Sequence, residues 1–398
     1  MKNLIDRLRS GFSKLGLATR FIMISSVSLM VTLGALTYLV SNKTTQTMDE
    51  RSVVELNGKA EIVLQMMTTY DTNLREAAGR LGSMFSTFFP GTFSLDPTKT
   101  VDIAGTATPV LKNGGTTLNL NFDPAEKFTS VTGAVATVFV RRGDDFLRIT
   151  TTLRKENGDR AVGTFLGKQH PAYTSMIKGE TWTGKARLFG KDYMTQYRPI
   201  RAQDGTVIGL LFVGLDFTAG LKTLKDSIKR IRIVDTGYIY AVDASPGPNY
   251  GFMVLHPSRE GEDLLASQNS SAVIKELLEK RNGIMRYSYA DKGETAEREK
   301  VVVYREFKNW GWVIAGEVYA EEFAREAIAL RHYLMMGMFA SGALLAVMLY
   351  FGMRRMVLDP LQRAGEIADA IANGRLDNEI HSRTRDEAGW LLHSMKTM

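Results

Sequence analysis

Cysteine is absent from all 398 residues. That excludes disulfides, thiolate metal sites and cysteine nucleophiles; it suits an extracytoplasmic domain without requiring one. Histidine is scarce, and the five present, His170, His256, His332, His381 and His393, show no metal-ligand spacing. There is no Walker-type phosphate loop and no Gly-x-Ser-x-Gly elbow. Paired acids such as Asp144-Asp145 and Glu321-Glu322 read as turn and helix-start residues. The expectation is therefore no enzyme, no cofactor and no metal. Net charge is also low where most of the chain lies: residues 41–332 carry 38 Lys/Arg against 35 Asp/Glu. The overall excess of +7 thus belongs partly to basic flanks, and residues 1–20 hold five basic side chains against one acid. With no basic–aromatic stripe, nucleic acid is not an expected partner.

Two stretches lack charge altogether. "FIMISSVSLMVTLGALTYLV" (Phe21–Val40) has 20 residues and "YLMMGMFASGALLAVMLYFGM" (Tyr333–Met353) has 21. At about 1.5 Å per residue each reaches roughly 30 Å, the thickness of bilayer hydrocarbon. No small-x-small cleavage site follows the first before Ser41-Asn42-Lys43, so it reads as an uncleaved signal-anchor. The second carries Gly337/Ser341 and Gly342/Ala346 at a spacing that favours close helix contact. The basic N-terminal tail and Arg354-Arg355 both predict cytoplasmic ends. Residues 41–332 are then expected outside the cell membrane, periplasmic or extracellular, with the lipid bilayer as a partner.

Within that region, proline is missing from Asn42 until Pro90, and apolar residues recur at helical spacing: Val53, Leu56, Ala60, Val63/Leu64, Met67, Leu74, Ala77/Ala78, Leu81. The pattern predicts one long helix from Asn42 to about Phe88. Residues 90–132, rich in Gly, Thr, Asn and Pro, read mostly as loop. "GAVATVFVRR" and "DFLRITTTLR" flank Gly143-Asp144 as a hairpin. A short helix after Pro171 and three more strands follow, with turns at Gly190 and Asp204-Gly205. A connecting helix near Ala219–Ile231 leads to a second set of five strands with a helix near Asp263–Lys280. Each set closes with a tyrosine-bearing strand (Tyr197 or Tyr304), a tight turn and a Gly-interrupted apolar strand running into a helix. This predicts two related modules, each a five-stranded antiparallel sheet with helices on one side.

The block Arg141–Phe217, "RRGDDFLRITTTLRKENGDRAVGTFLG" through "LFGKDYMTQYRPIRAQDGTVIGLLFVGLDF", resembles a single-Cache-3 module of bacterial sensors. "GYIYAVD…VLHPSREGEDLL…GIMRYSYA…KVVVYREFKNWGWVIAGEVY" resembles a Cache-2 module. Together they are similar to the Cache-3/Cache-2 fusion of methyl-accepting chemotaxis proteins, over roughly residues 21–398. The resemblance implies an α+β membrane receptor whose tandem PAS-like antiparallel-sheet modules bind a small ligand without chemistry. The expected boundaries are a tail 1–20, a span 21–40, the long helix and loops 41–132, a membrane-distal module 133–218 and a connecting helix 219–236. A membrane-proximal module 237–332, a span 333–353 and an adaptor 354–398 complete the chain.

The adaptor begins at Pro360, tolerated in a first helical turn, and continues with Leu361, Ala364, Ala368 and Ile371 at 3-4-3 spacing. Asn373-Gly374 breaks it; Ala388, Leu391, Met395 and Met398 repeat the spacing after Asp386-Glu387. Two such seams bury little alone, which predicts a homodimeric four-helix bundle. The pattern resembles a HAMP domain, with Asp386-Glu387 and Gly389 matching and Ala388 where Ile or Val is more usual. HAMP domains relay motion of a membrane helix to an output domain. The chain is accordingly expected to be an N-terminal fragment of a chemoreceptor, its signalling domain and contacts with a chemotaxis kinase and coupling protein lying beyond Met398. Cache–HAMP front ends also serve sensor histidine kinases and diguanylate cyclases, which is the alternative reading.

Strand 145–154 alternates Leu147, Ile149, Thr151 and Leu153 with Phe146, Arg148, Thr150, Thr152 and Arg154. If one face packs on the long helix, Arg148, Thr150 and Thr152 would offer a guanidinium and hydroxyls to a small anion. Tyr193, Thr195 and Tyr197 alternate likewise, and His170-Pro-Ala-Tyr173 would cap the site. The expected ligand-binding residues are Arg148, Thr150, Thr152, His170, Tyr173, Tyr193 and Tyr197, with a small carboxylate as ligand. The second module holds a comparable set, Tyr238, Tyr240, His256, Tyr287, Tyr289 and Tyr304. Spacing does not decide between them; the first is favoured for its Arg/Thr strand and its membrane-distal place.

Overall fold

The first proline of the chain is Pro90, and nothing before it forbids a continuous helix. The computed structural model describes residues 17–266, 271–290 and 296–373, with Trp390 and Ser394. In it α1 runs unbroken over Leu17–Ser86, beginning earlier than the periodicity of the outside region alone suggests. The chain forms two units, residues 1–52 with 323–398, and residues 53–322.

In the second of these units α1 buries a single stripe: Leu56, Ala60, Val63, Met67, Asp71, Leu74, Ala78 and Phe85. Their 3-4 spacing keeps one side of the helix against the sheets. Asp71 occupies an apolar position of that stripe and is fully buried.

Residues 90–132, expected as loop, instead form β1 (Phe93–Ile103), β2 (Thr106–Asn113), β3 (Thr116–Thr117) and helix α2 (Asp123–Thr132). The glycines that suggested loop lie at the turns, where Gly105 and Gly114 adopt left-handed φ of 81° and 58°. The intervening threonines are strand formers on a half-exposed sheet.

The two five-stranded sheets share one topology. The first contains β4 (Val135–Arg142), β5 (Asp145–Thr151), β6 (Trp182–Leu188), β7 (Lys191–Arg201) and β8 (Val207–Asp216). The second contains β9 (Tyr238–Asp243), β10 (Met253–Leu255), β11 (Gly283–Tyr289), β12 (Arg298–Phe307) and β13 (Trp312–Tyr319). Their spatial orders are β5-β4-β8-β7-β6 and β10-β9-β13-β12-β11, the same arrangement 2-1-5-4-3, and every pairing is antiparallel. The internal repeat is therefore structural even where side chains have diverged. Short helices α3 (Tyr173–Lys178) and α5 (Ser271–Lys280) belong to the two modules, and α4 (Thr218–Lys229) connects them. Helix α5 is shorter than the expected 263–280, because Asp263 caps a turn by accepting from the backbone N–H groups of Leu265 and Ala266.

In the unit of residues 1–52 and 323–398, two helical stretches are long and apolar enough to cross a membrane: Thr19–Thr44 and the apolar part of Ile328–Ala372. The latter takes in α6 (Ala320–Met353) from Ile328 onward, a π-helical turn (Arg354–Leu358) and α7 (Asp359–Ala372). Gly342 lies against Met30 of the first span, whereas Gly337 borders open space. Helix α7 covers the first adaptor seam; the second, at Ala388, Leu391, Met395 and Met398, lies outside the described residues.

Candidate functional site

Period-two alternation places Tyr238 and Tyr240 on the inner face of β9, with Ile239 and Ala241 on the other. The same face carries Lys300, Val302 and Tyr304 of β12, Val313, Ala315 and Glu317 of β13, and Met285, Tyr287 and Tyr289 of β11. The apolar members join Ile274, Leu277 and Leu278 of α5 in one core cluster. The polar members gather toward one end, because register sets Glu317 opposite Tyr238 and Lys300 opposite Tyr287.

Glu317 is almost fully buried and accepts three hydrogen bonds. The Tyr238 hydroxyl donates to Oε1 at 2.6 Å, the Tyr287 hydroxyl to Oε2 at 2.8 Å, and Lys300 Nζ to Oε1 at 3.1 Å. The carboxylate is thereby neutralised and its lone pairs largely occupied. Burial pushes the Tyr287 phenol far up from its ordinary value, and the neighbouring Glu317 charge adds to this. Burial does the same to Tyr240.

Above this floor lies a cavity of about 770 Å³. Besides the residues above, its walls include Arg232, His256, Arg259 and Glu262. His256 opens the turn His256-Pro257, and its Nδ1 accepts the backbone N–H groups of Ser258 and Arg259, both at 3.0 Å. With Nδ1 accepting, the neutral ring must carry its proton on Nε2 and act there as a donor. Burial lowers the His256 pKa, which keeps the ring neutral. Arg259 reaches Glu262 at 2.8 Å, and the Glu262 side chain is half exposed. The walls thus present guanidinium groups and an imidazole N–H, while their one buried carboxylate is already satisfied. Such a cavity favours a small anion over a cation.

The residues expected in the first module are dispersed. Arg148, His170 and Tyr197 come together: the Arg148 guanidinium lies 5.0 Å from the Phe139 ring, and the His170 and Tyr197 rings are 5.1 Å apart. Thr150 and Thr152 do not join them, contrary to the alternation. Val138 pairs with Thr150 and Phe139 with Arg148, so Ile149 is an unpaired bulge residue. The bulge shifts the pleat by one residue, and it is Thr151, bonded to Thr137 Oγ1 at 2.6 Å, that shares the face of Arg148. Thr150 turns to the helix side and donates to the Leu118 carbonyl at 2.7 Å. Thr152 bonds Thr129 of α2 at 2.9 Å. Tyr173 donates to the Asp144 carbonyl. Tyr193 does share a face with Tyr197, but lies four residues along β7, roughly 13 Å away. Ala172 and Met176, at α3, pack over Phe139, Phe146, Tyr197 and Phe212, so side chains fill this face.

Sequence reasoning named the tyrosines and His256 but not Lys300, Glu317, Arg232 or Arg259. One signal was available: Lys300 and Glu317 are the charged members of otherwise apolar inner-face alternations, KVVVY and VIAGEV. Tyr304, named with that set, is buried in the core cluster beside the cavity.

Among solved structures, the ligand-binding domain of the Campylobacter jejuni chemoreceptor Tlp3, in complex with L-valine, is similar to this chain at 10% identity. The match covers 70% of this chain and 97% of that one, with a TM-score of 0.39. A methyl-accepting chemotaxis protein from Vibrio parahaemolyticus is 25% identical over 26% of this chain and 73% of its own, with a TM-score of 0.22. The periplasmic domain of RsbU from Chlamydia trachomatis is 11% identical over 71% and 96%, with a TM-score of 0.39. The family model described as the Cache 3/Cache 2 fusion domain matches residues 41–332, which include α1 beyond the first span, both five-stranded sheets and the cavity. Its span and the tandem sheets of one topology lead to the same place: the chain belongs to the Cache 3/Cache 2 fusion domain family.

Proposed function

We propose that this chain is the input part of a homodimeric transmembrane chemoreceptor that binds a small organic anion in the second module. The observation that carries the reading is the cavity of about 770 Å³, with Arg232, Arg259 and the Nε2–H of His256 in its walls over a neutralised Lys300–Glu317 floor. Its volume suits a small molecule, and its donors outnumber its free acceptors. The site also supplies a path outward. Glu317 lies on β13, and β13 passes without a break into α6, the helix that contains the second membrane-crossing segment. In the first turn of α6, Glu322 accepts the backbone N–H groups of Asp235 and Thr236, each at 3.1 Å, and so ties the helix start to the loop leading into β9. A ligand that favours one arrangement of β9 and β13 biases α6 by its difference in affinity between the two arrangements. The HAMP-like helices, beginning with α7, would pass that bias to a cytoplasmic output that engages the chemotaxis kinase and coupling protein.

The test is calorimetry on the full chain in detergent against a panel of mono- and dicarboxylates. At least one is expected to bind, with Arg259→Ala weakening it tenfold or more and Arg148→Met leaving it unchanged. If Arg259→Ala and His256→Phe bind every hit as tightly as wild type, the cavity is not the ligand site.

A further inference from the structure

One side chain in the walls of the second-module cavity works against an anion. Among the described residues the charged groups there are three cations, Arg232, Arg259 and Lys300, and two carboxylates, Glu262 and Glu317. Lys300 and Glu317 cancel within the floor. Glu262 stands apart from the floor: its side chain is half exposed, and it accepts from Arg259 Nε at 2.8 Å. The turn that carries this pair is fixed by its backbone. The Glu262 N–H meets the Arg259 carbonyl at 3.3 Å, and Gly261 closes the turn at φ 87°. Gly261 donates to the Met253 carbonyl of β10 at 2.8 Å, and the Met253 N–H donates to the Glu262 carbonyl at 2.9 Å. His256 Nδ1 holds the Arg259 N–H. Glu260, between the two, takes no part in the cavity and pairs instead with Lys225 and Lys229 of α4.

Among the described residues no carboxylate lies within ion-pair distance of Arg232. With the floor neutral and Arg259 paired to Glu262, the cavity keeps one uncompensated positive charge. We infer, on the reading of this cavity proposed above, that Glu262 is its specificity-determining residue: it restricts the ligand to a small monocarboxylate and turns dicarboxylates away.

The Arg259 guanidinium shows how. Glu262 occupies its Nε–H, and the N–H groups of Nη1 and Nη2 remain to meet one ligand carboxylate. The Tyr289 hydroxyl also bonds the guanidinium, but it adds no charge. A first ligand carboxylate thus finds the charge of Arg232, the open end of Arg259 and the Nε2–H of His256. A second finds no cation left and meets the Glu262 carboxylate, and like charges inside one cavity repel. The backbone bonds of the turn keep Glu262 and Arg259 within reach of each other, so Glu262 stays in the wall when a ligand enters. At the distances inside one small cavity, a like-charge contact of this kind is worth roughly tenfold in affinity.

The experiment is calorimetry on the full chain in detergent with matched pairs that differ by one carboxylate: propionate with succinate, butyrate with glutarate, and valerate with adipate. Wild type is expected to bind the monocarboxylate of at least one pair more tightly than its dicarboxylate. Glu262→Gln keeps an acceptor for Arg259 Nε and drops the charge, and should move the ratio of the two affinities toward the dicarboxylate roughly tenfold. Glu262→Asp should keep the wild-type ratio. So should Glu260→Gln, which removes the same charge from the same turn on the side of α4. A ratio unchanged in Glu262→Gln, a wild type that prefers the dicarboxylate, or an equal shift in Glu260→Gln overturns the role of Glu262; the cavity still stands as the ligand site if Arg259→Ala weakens the binding. Should Glu262→Gln fail to fold, Glu262→Ala gives the same readout. Binding of no carboxylate to either wild type or Glu262→Gln overturns the reading of the cavity itself, and the role of Glu262 with it.

Discussion

Replacing Asp71 with alanine should loosen the long helix from both modules at once. The carboxylate is fully buried in the α1 stripe. It accepts from Arg75 Nε at 2.7 Å, from Asn309 Nδ2 at 2.6 Å and from Trp310 Nε1 at 2.7 Å. Arg75 in turn donates from Nη1 to the Thr183 carbonyl of β6 at 2.5 Å, so the same node reaches the turn after β12 and the first sheet. In Asp71→Ala the three donors fare differently. Asn309 is exposed and rehydrates, and Arg75 is about a third exposed, so its share is screened. Trp310 is 5% exposed, and its indole N–H is left without an acceptor. A buried donor stranded in this way costs about 1–3 kcal/mol, and losing a hydrogen bond to a charged group adds to it, for a total of about 3 kcal/mol. Asp71→Asn keeps one acceptor and should cost about half as much. Thermal unfolding followed by far-UV circular dichroism should show Asp71→Ala lowering the midpoint by roughly 6–10 °C. Combined with Trp310→Phe, which removes the donor itself, it should show a coupling of about 2 kcal/mol in a double-mutant cycle. A loss below about 0.5 kcal/mol, or strict additivity with Trp310→Phe, refutes the assignment of Asp71 as the node.

Three further outcomes follow from the described geometry. Lys300→Met strands the Glu317 carboxylate on two tyrosine hydroxyls and should cost about 3 kcal/mol, most of it recovered in Lys300→Met/Glu317→Gln, as read by thermal unfolding. Gly209→Ala on β8 would place a methyl group on the Phe139 carbonyl oxygen, backbone that cannot yield, so a loss of 2 kcal/mol or more (~) is expected, whereas Gly205→Ala, in an open turn at φ 85°, should cost only about 1 kcal/mol of backbone strain. His256 and His170 both have folded-state pKa values lowered by burial, so the unfolded chain takes up protons first as pH falls. Their contribution to stability is therefore complete above the unfolded value of about 6.5 and declines as pH drops below it. The unfolding midpoint should fall between pH 7 and pH 5, with a shallower slope in His256→Phe and His170→Phe; an unchanged slope in both would contradict the burial of these rings.

Local chemistry made much of this chain readable. Two uncharged runs of membrane length, a proline-free stripe at 3-4 spacing and strands bounded by Gly143-Asp144, Gly190 and Asp204-Gly205 depend only on neighbours a few residues away, and the structure places helices and turns there. Residues 90–132 misled for the same reason: their composition speaks of turns, but pairing of β1 with β2 is a contact between segments, not within one. The inner faces needed more. Ile149 bulges only because β4 lies alongside, and that single extra residue takes Thr150 away from Arg148 and puts Thr151 in its place. Lys300 and Glu317 are odd charges in apolar alternations, a signal that went unused, and that they meet, and meet Tyr238 and Tyr287, follows from strand order 2-1-5-4-3. The sequence by itself determined the periodicities, and with them the spans, the long helix and the strands of both five-stranded sheets, while its residue motifs carried the resemblance to the family. The tertiary structure alone decided which buried charges are compensated, because a charge finds its partner through space, across strands and tens to hundreds of residues of chain.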